Sequence, residues 1–225
     1  MARLTVVGAG YVGITTAVCL AELGHEVVGL DIDAERVRML SGNRLPIYEP
    51  GLEGMLERNA LAGRVRFTTD YEEAIPGAEF AFIAVATPEA EDGNADLRAV
   101  ESAARSVAQS MTDYLVIINK STVPIGTGDL VSRVVAEHTT FAFDVVSNPE
   151  FLREGSAVED FMAPDRVVIG ATNPAAAEGV TKLYSSLGAS ILMTGINSAE
   201  MIKYASNAFL ACGAANRHPV QAARA

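Results

Sequence analysis

Tryptophan is absent from the 225 residues, and aromatic side chains of any kind make up only 6% of them. A core of ordinary size must therefore be built from aliphatic side chains and alanine, and at 49% hydrophobic the chain has enough of them. Cysteine is almost as scarce. Cys19 and Cys212 stand far apart with no metal-ligand spacing, which excludes a disulfide framework and fits a reducing compartment. Basic residues are outnumbered, 17 against 28 acidic ones, for a net charge of −11. That balance argues against nucleic acid or an anionic membrane as partner, since both select basic surfaces. It does not exclude a phosphorylated ligand, because backbone amides hold phosphate without a cation. Long apolar runs are missing as well. No stretch reaches the ~20 residues that span a bilayer. The start, "MARLTVVGAG", has one basic residue and an apolar run too short for a secretory signal. The expectation is a soluble, cytoplasmic protein.

What is present is alternation. "RLTVVG", "HEVVGLD", "EFAFIAVAT", "YLVIIN", "AFDVVSN", "RVVIG" and "SILMTG" are short apolar runs rich in Val and Ile. They lack strict period-2 patterning, as strands covered on both faces do. Helical patterns fall between them over residues 11–23, from Asp33 toward Leu40, and over 96–110, 127–138 and 174–186, with Gly24 placed to end the first. Strand–helix alternation predicts an α/β fold, a Rossmann-like doubly wound parallel sheet. Residues 1–196 are assigned to that domain. Residues 197–225 open a further helix, which continues to at least Leu210 before "CGAANRHPVQAARA" loses periodicity and Pro219 interrupts it.

"VVGAGYVG" places Gly8, Gly10 and Gly13 as G-x-G-x-x-G after the first strand and at the start of the first helix. Gly8 permits the tight turn, Gly10 the approach of a pyrophosphate, and Gly13 close helix–strand packing. Asp31 closes the second strand, where a carboxylate accepts hydrogen bonds from a ribose diol and repels a 2′-phosphate. NAD is favoured over NADP on that ground. Arg36 follows on the next helix, close enough for the adenosine ribose; taken alone it is a surface charge.

Three later strands are each followed by a polar stretch: Thr87-Pro88 with "EAEDGNADL", "KSTVPIGT" from Lys120, and "NPEFLREGSAVEDF" from Asn148. Each alone is ordinary turn chemistry. Lys120 reads as a structural residue at a strand end, and His25, His138 and His218 fall outside every motif, with surface or turn roles. Lys203 and Asn207, four residues apart, share one helix face.

The ordered set "GAGYVG", "PIYEPGL", "ATP" with "DGNADL", "KSTVPIGT", "NPEFLREGSAVEDF", "PDRVVIG" and "AEMIKYASNAFLA" resembles the N-terminal part of the UDP-glucose/GDP-mannose dehydrogenase family, over about residues 1–211. "PIYEPGL" is closer to its UDP-glucose branch. The resemblance implies a four-electron oxidation in which two NAD molecules in turn take hydride from C6 of UDP-glucose, giving UDP-glucuronate for polysaccharide biosynthesis. A cysteine thiolate holds the intermediate until water hydrolyses a thioester. It implies that Thr122 positions a water, that Glu150 orients or activates it, and that Glu154, one helical turn on, faces both cofactor and sugar. The backbone of Glu150, Phe151, Leu152, Arg153 and Glu154 would line the nucleotide sugar. Lys203 would stabilise charge at the C6 oxygen and Asn207 would add a hydrogen bond. Val12, Asp31, Arg36, Thr87, Thr122 and Glu154 would contact NAD. Read without the resemblance, the two glutamates are solvated helix charges.

Cys212 is not the family's thiol. Nine residues separate it from Lys203, about 13.5 Å and 2.5 turns of helix, which puts it on the opposite face. Cys19 lies in the apolar stripe of the first helix. The nucleophilic cysteine of the family sits in a glycine-rich motif further downstream, and the sequence departs from the family at Cys212. The expectation is a truncated chain without that motif or the UDP-binding domain, and with the helix of the family's homodimer cut short. Two other readings stay open. One is a non-catalytic NAD- or nucleotide-sugar-binding remnant. The other is a different dehydrogenase, acting on GDP-mannose or on a hydroxy acid.

Overall fold

A computed structural model describes residues 1–215. The apolar runs form one sheet in the order β3-β2-β1-β4-β5-β6-β7-β8. The strands are β1 (Arg3–Val7), β2 (Glu26–Leu30), β3 (Val65–Thr68), β4 (Phe80–Ile83), β5 (Leu115–Asn119), β6 (Phe143–Ser147), β7 (Arg166–Ala171) and β8 (Ser190–Thr194). The helices are α1 (Tyr11–Glu22), α2 (Ala34–Ser41), α3 (Leu52–Leu61), α4 (Tyr71–Ala74), α5 (Arg98–Ser110), α6 (Thr127–Ala136), α7 (Ala157–Met162), α8 (Pro174–Leu183) and α9 (Ile196–Ala215). The lack of alternation in the strands is explained by their two covered faces. Leu4, Val6, Phe82 and Ile118 pack under α1, α3 and α8. Val7, Ala81, Ile83 and Ile117 pack under α5 and α6. Each fully buried side chain of this size stabilises the fold by about 2 kcal/mol.

Two expectations need correction. The sheet is not wholly parallel, because β7 runs antiparallel to β6 and β8 is parallel to β7. A parallel return needs a crossover that carries the chain back to the opposite edge of the sheet. Residues 148–165 instead stay at the carboxyl edge, so β7 starts beyond that edge and overlaps β6 only at Val146↔Ala171 and Ser147↔Gly170. It therefore stands above the carboxyl edge as a wall. His25 is not a surface residue either. It is buried, Ala2 N donates to its Nδ1 (3.2 Å), and Nε2, which then carries the proton, donates to Leu183 O (3.1 Å). It joins the start of the chain to the end of α8.

Sequence patterning missed β3, α4 and α7, all short, and α3, which is as long as α6 and α8. Of these α3 carried a signal, Leu52, Met55 and Leu56 at helical spacing, two of them fully buried. The last helix runs on through Cys212 to Ala215; His218 and Pro219 lie outside the described residues. Ala199, Glu200 and Lys203 bury the inner side of α9 against the sheet, and Met201, Tyr204, Phe209 and Leu210 are exposed. Among the described residues no helix is long and apolar enough to cross a membrane.

The seat of α9 is tight. A Cβ on Gly170 of β7 would lie 2.5 Å from the Cβ of Ala199 and 2.8 Å from Gly195 O. Gly170→Ala is expected to cost about 2 kcal/mol through overpacking, read as a lower urea midpoint.

Candidate active site: a coenzyme cleft beside a buried ion pair

Gly8 turns the chain from β1 toward α1 at φ +99°, and a Cβ there would sit 2.6 Å from Ala84 O. A Cβ on Gly13 would lie 1.8 Å from Gly8 O, so only glycine allows α1 to approach β1 this closely. Gly10 differs from both. A Cβ there would meet nothing within 4 Å, because it faces an open cleft. That cleft, of about 360 Å³, is lined by Gly8, Gly10, Asp31, Arg36, Tyr71 and Val85, among others. The helix that opens onto it starts without a side-chain cap and without an acid in its first turn. By contrast α2, α4 and α8 are capped by Asp33, Asp70 and Asn173. The first-turn amides of α1 are thus left to an anion, and the groove fits a dinucleotide's pyrophosphate.

Asp31 is buried at the rim of the cleft. Its Oδ2 accepts Ala9 N (2.6 Å) and Arg36 Nη1 (3.0 Å), and its Oδ1 accepts Asp33 N (2.9 Å). The acid that was expected to meet a ribose also holds the glycine-rich loop and Arg36 in place. The other end of the Arg36 guanidinium lies 3.7 Å from Asp33, so the arginine sits at the cleft between two carboxylates. Val12 lies half-buried in the first turn of α1. Thr87 and Thr122 come together: the Thr87 hydroxyl donates to Thr122 O (2.8 Å), tying the loops after β4 and β5.

Past the end of β6, Glu150 meets Lys203. Nζ and Oε1 are 2.8 Å apart, with both side chains about nine-tenths buried. Glu150 Oε2 also accepts Leu152 N (2.6 Å). The Phe151 ring lies under the Lys203 ammonium (5.3 Å) and the Arg166 guanidinium (5.0 Å). Residues 148–153 are irregular, so Glu154 is not one helical turn from Glu150. It and Arg153 are exposed, and Arg153 pairs with Asp160 (2.6 Å). Asn207 is exposed one turn beyond Lys203 and makes no hydrogen bond among the described residues. A fixed lysine–glutamate pair at a strand's carboxyl end can hold a water or an alcohol oxygen between a base and a cation.

Three residues were undervalued by sequence reading. Lys120 is buried between the rings of Phe161 (5.9 Å) and Tyr184 (5.8 Å) and donates to Asn148 Oδ1 (3.1 Å). Burial brings its pKa down to about 8, offset in part by Glu150 and reinforced by Lys203. Glu200 of α9 is buried, and its two oxygens accept Gly126 N (2.7 Å) and Gly128 N (2.8 Å) at the start of α6. Burial raises its pKa. Glu49, in "PIYEPGL", is buried and hydrogen-bonds Tyr11 and two amides beyond Glu154. For Glu49 and Glu200 the available signal was an acid standing inside an otherwise apolar or turn-forming stretch. Among the described residues no cluster suits a metal ion.

This geometry has relatives. Residues 2–188 match the model of the UDP-glucose/GDP-mannose dehydrogenase family, NAD binding domain. The chain is 48% identical over 213 residues to UDP-glucose 6-dehydrogenase TuaD of Bacillus subtilis, which covers 94% of this chain and 46% of that protein. A UDP-glucose dehydrogenase structure from the archaeon Pyrobaculum islandicum superposes with a TM-score of 0.92 at 50% identity, over 94% of this chain and 50% of the other. A GDP-mannose dehydrogenase structure from Pseudomonas aeruginosa also superposes at 0.92, with 33% identity, over 94% and 50%. The chain thus spans about half the length of the relatives it matches.

Two outcomes follow from the buried charges. Lys203→Met strands the Glu150 carboxylate and should destabilise by about 3 kcal/mol, most of it recovered in the Lys203→Met/Glu150→Gln double variant; urea unfolding of the four proteins checks this. Lys120 keeps its proton to higher pH unfolded, near 10.5, than folded, about 8. Unfolding therefore takes up a proton between those values, and the group's contribution to stability rises with pH through that window and is lost as pH falls through about 8. Lys120→Met should be the more stable protein at pH 7, by about 2 kcal/mol, with the gap closing by pH 10.5 in the same assay.

Proposed function

The chain belongs to the UDP-glucose/GDP-mannose dehydrogenase family, and from that premise we propose that it supplies the NAD site and part of the sugar site for oxidation of UDP-glucose at C6 to UDP-glucuronate. The observation that carries this reading is the uncapped start of α1 beside the buried Asp31. The first-turn amides hold the pyrophosphate, Gly10 leaves room for it, and Asp31 accepts from the ribose diol. Arg36 lines the adenosine end of the cleft. NAD, when bound, supplies the hydride acceptor. On the sugar side, the 150–154 backbone lines the substrate. Lys203 offers positive charge to the C6 oxygen, with Asn207 one turn further along the helix. Glu150 and Thr122 orient the water of hydrolysis, the glutamate as base.

Neither described thiol serves this site. Cys19 is buried in the core, where burial pushes its pKa up to about 12. Cys212 is exposed 2.5 turns along α9 from Lys203. Residues 1–225 are therefore expected to bind NAD without completing the four-electron oxidation. The exposed Met201, Tyr204, Phe209 and Leu210 of α9 would belong to the part of the family's homodimer helix that this chain carries. The same reading puts the protein in the cytoplasm, in nucleotide-sugar metabolism.

Calorimetry of the chain with NAD, NADP, UDP-glucose and GDP-mannose tests the proposal. NAD should bind more tightly than NADP, and UDP-glucose more tightly than GDP-mannose. Asp31→Asn should weaken NAD by about tenfold, the loss of a charge-assisted hydrogen bond. An absence of NAD affinity in the unaltered chain would remove the reading.

A further inference from the structure

Tyr11 is the first residue of α1, one position past the glycine that faces the coenzyme cleft. Its side chain turns away from that cleft. The phenol hydroxyl donates to Glu49, and its oxygen accepts Gly155 N (3.2 Å). Glu49 is 4% exposed. Besides Tyr11, its carboxylate accepts Gly155 N (2.9 Å) and Val158 N (3.4 Å). Gly155 closes the 150–154 loop at φ +86°, and Val158 lies in the first turn of α7, which has no side-chain cap of its own sequence. One buried carboxylate thus touches the helix that opens on the coenzyme, the segment before α3, the loop after Glu150, and the start of α7.

The energetics favour a purpose over an accident. A carboxylate in the interior is costly unless each lone pair is used. Burial pushes the acid of Glu49 up, yet the bonds from Tyr11, Gly155, Val158 and Ala157 outweigh it and hold the pKa below the ordinary value. The group stays charged and fixed. A glutamine here could accept the same bonds only through one oxygen, and would turn an NH2 toward donors.

We propose that Glu49 and Tyr11 are positioning residues that set the sugar-facing loop 150–155 against the coenzyme helix, so that nucleotide bound at the first turn of α1 tightens that loop. The proposal rests on the coenzyme reading above for its ligand. The clamp itself rests only on the hydrogen bonds. Hydride transfer requires C6 and the coenzyme to be held within a few tenths of an ångström of a productive distance. The two loops that would hold them come from opposite ends of the domain sequence. Tyr11 and Glu49 are the direct polar bridge between them among the described residues.

The test uses the 225-residue chain, its Tyr11→Phe and Glu49→Gln variants, and amide hydrogen exchange of Gly155 and Val158 with and without saturating NAD. Exchange of the β1, β4 and β5 amides in the same samples reports whether each variant is folded. In the unaltered chain both amides should be protected, and NAD should slow them further. Glu49→Gln should speed both by about tenfold without nucleotide, the loss of a charged acceptor. Tyr11→Phe should bind NAD yet lose the NAD-induced slowing, an effect that a merely structural tyrosine would not produce. Unchanged exchange in Glu49→Gln would overturn the clamp. An NAD-induced slowing in Tyr11→Phe equal to that of the unaltered chain would overturn the coupling. If the unaltered chain fails to bind NAD, the coupling falls together with the coenzyme reading, and the nucleotide-free Glu49→Gln result still decides the clamp by itself.

Discussion

Buried carboxylates, each satisfied by groups from a distant part of the chain, hold the carboxyl edge of this sheet together. Asp31 ties the glycine-rich loop to α2, Glu150 grips α9 through Lys203, and Glu200 closes the start of α6 from α9. Glu49 does the same for α1 and α7. A carboxylate can do this because it has about four acceptor positions and its bonds to amides are charge-assisted. The edge of a parallel sheet needs such groups. Loops meet there with unpaired amides, and helices begin there with four free N–H groups each. The negative charge of the chain, unhelpful for polyanions, is in part the material of this edge.

α1 gives the edge its use. Acids or Asn173 serve the starts of α2, α4, α6, α7 and α8, whereas the first turn of α1 has no such partner and opens on the groove beside Asp31. An uncapped helix start that opens on a cleft is a place where a ligand can complete the structure. This is also why Asp31 cannot be treated as a ligand contact alone. It holds Ala9 N, so a change that removes the carboxylate loosens the loop that presents the amides.

Legibility in the sequence followed the range of the interactions. The glycine-rich turn, the strands and Asp31 could be found because their logic is local: Gly8 needs positive φ, Gly13 needs contact with a residue five positions away, and the strands need only apolar runs. Lys203 and Asn207 stand one turn apart on α9 as their spacing requires, but they differ in burial, since burial depends on what lies opposite and Lys203 faces Glu150. Glu49 and Glu200 were not found, and Lys120 was read only as a structural residue at a strand end, because their partners are 28 to 109 residues away along the chain. The reversal of β7 was hidden for a related reason. Nothing in "NPEFLREGSAVEDF" announces that its chain stays at one edge, where Glu49 and Lys203 bond it.

The segments that follow β5 and β6 are joined to each other through α9. Glu200 and Lys203 are three residues apart on the inner side of that helix, so they lie one turn from each other. One holds the start of α6, which follows directly on the "KSTVPIGT" loop carrying Thr122; the other holds Glu150. Gly170 and Gly128 let the helix sit close enough for both bonds, since a Cβ on either would strike Ala199 or Ile196. A shift of α9 by even an ångström would therefore have to move Thr122 and Glu150 together or break two buried charged contacts. The start of α6 and the Glu150 carboxylate are thus both fixed to α9.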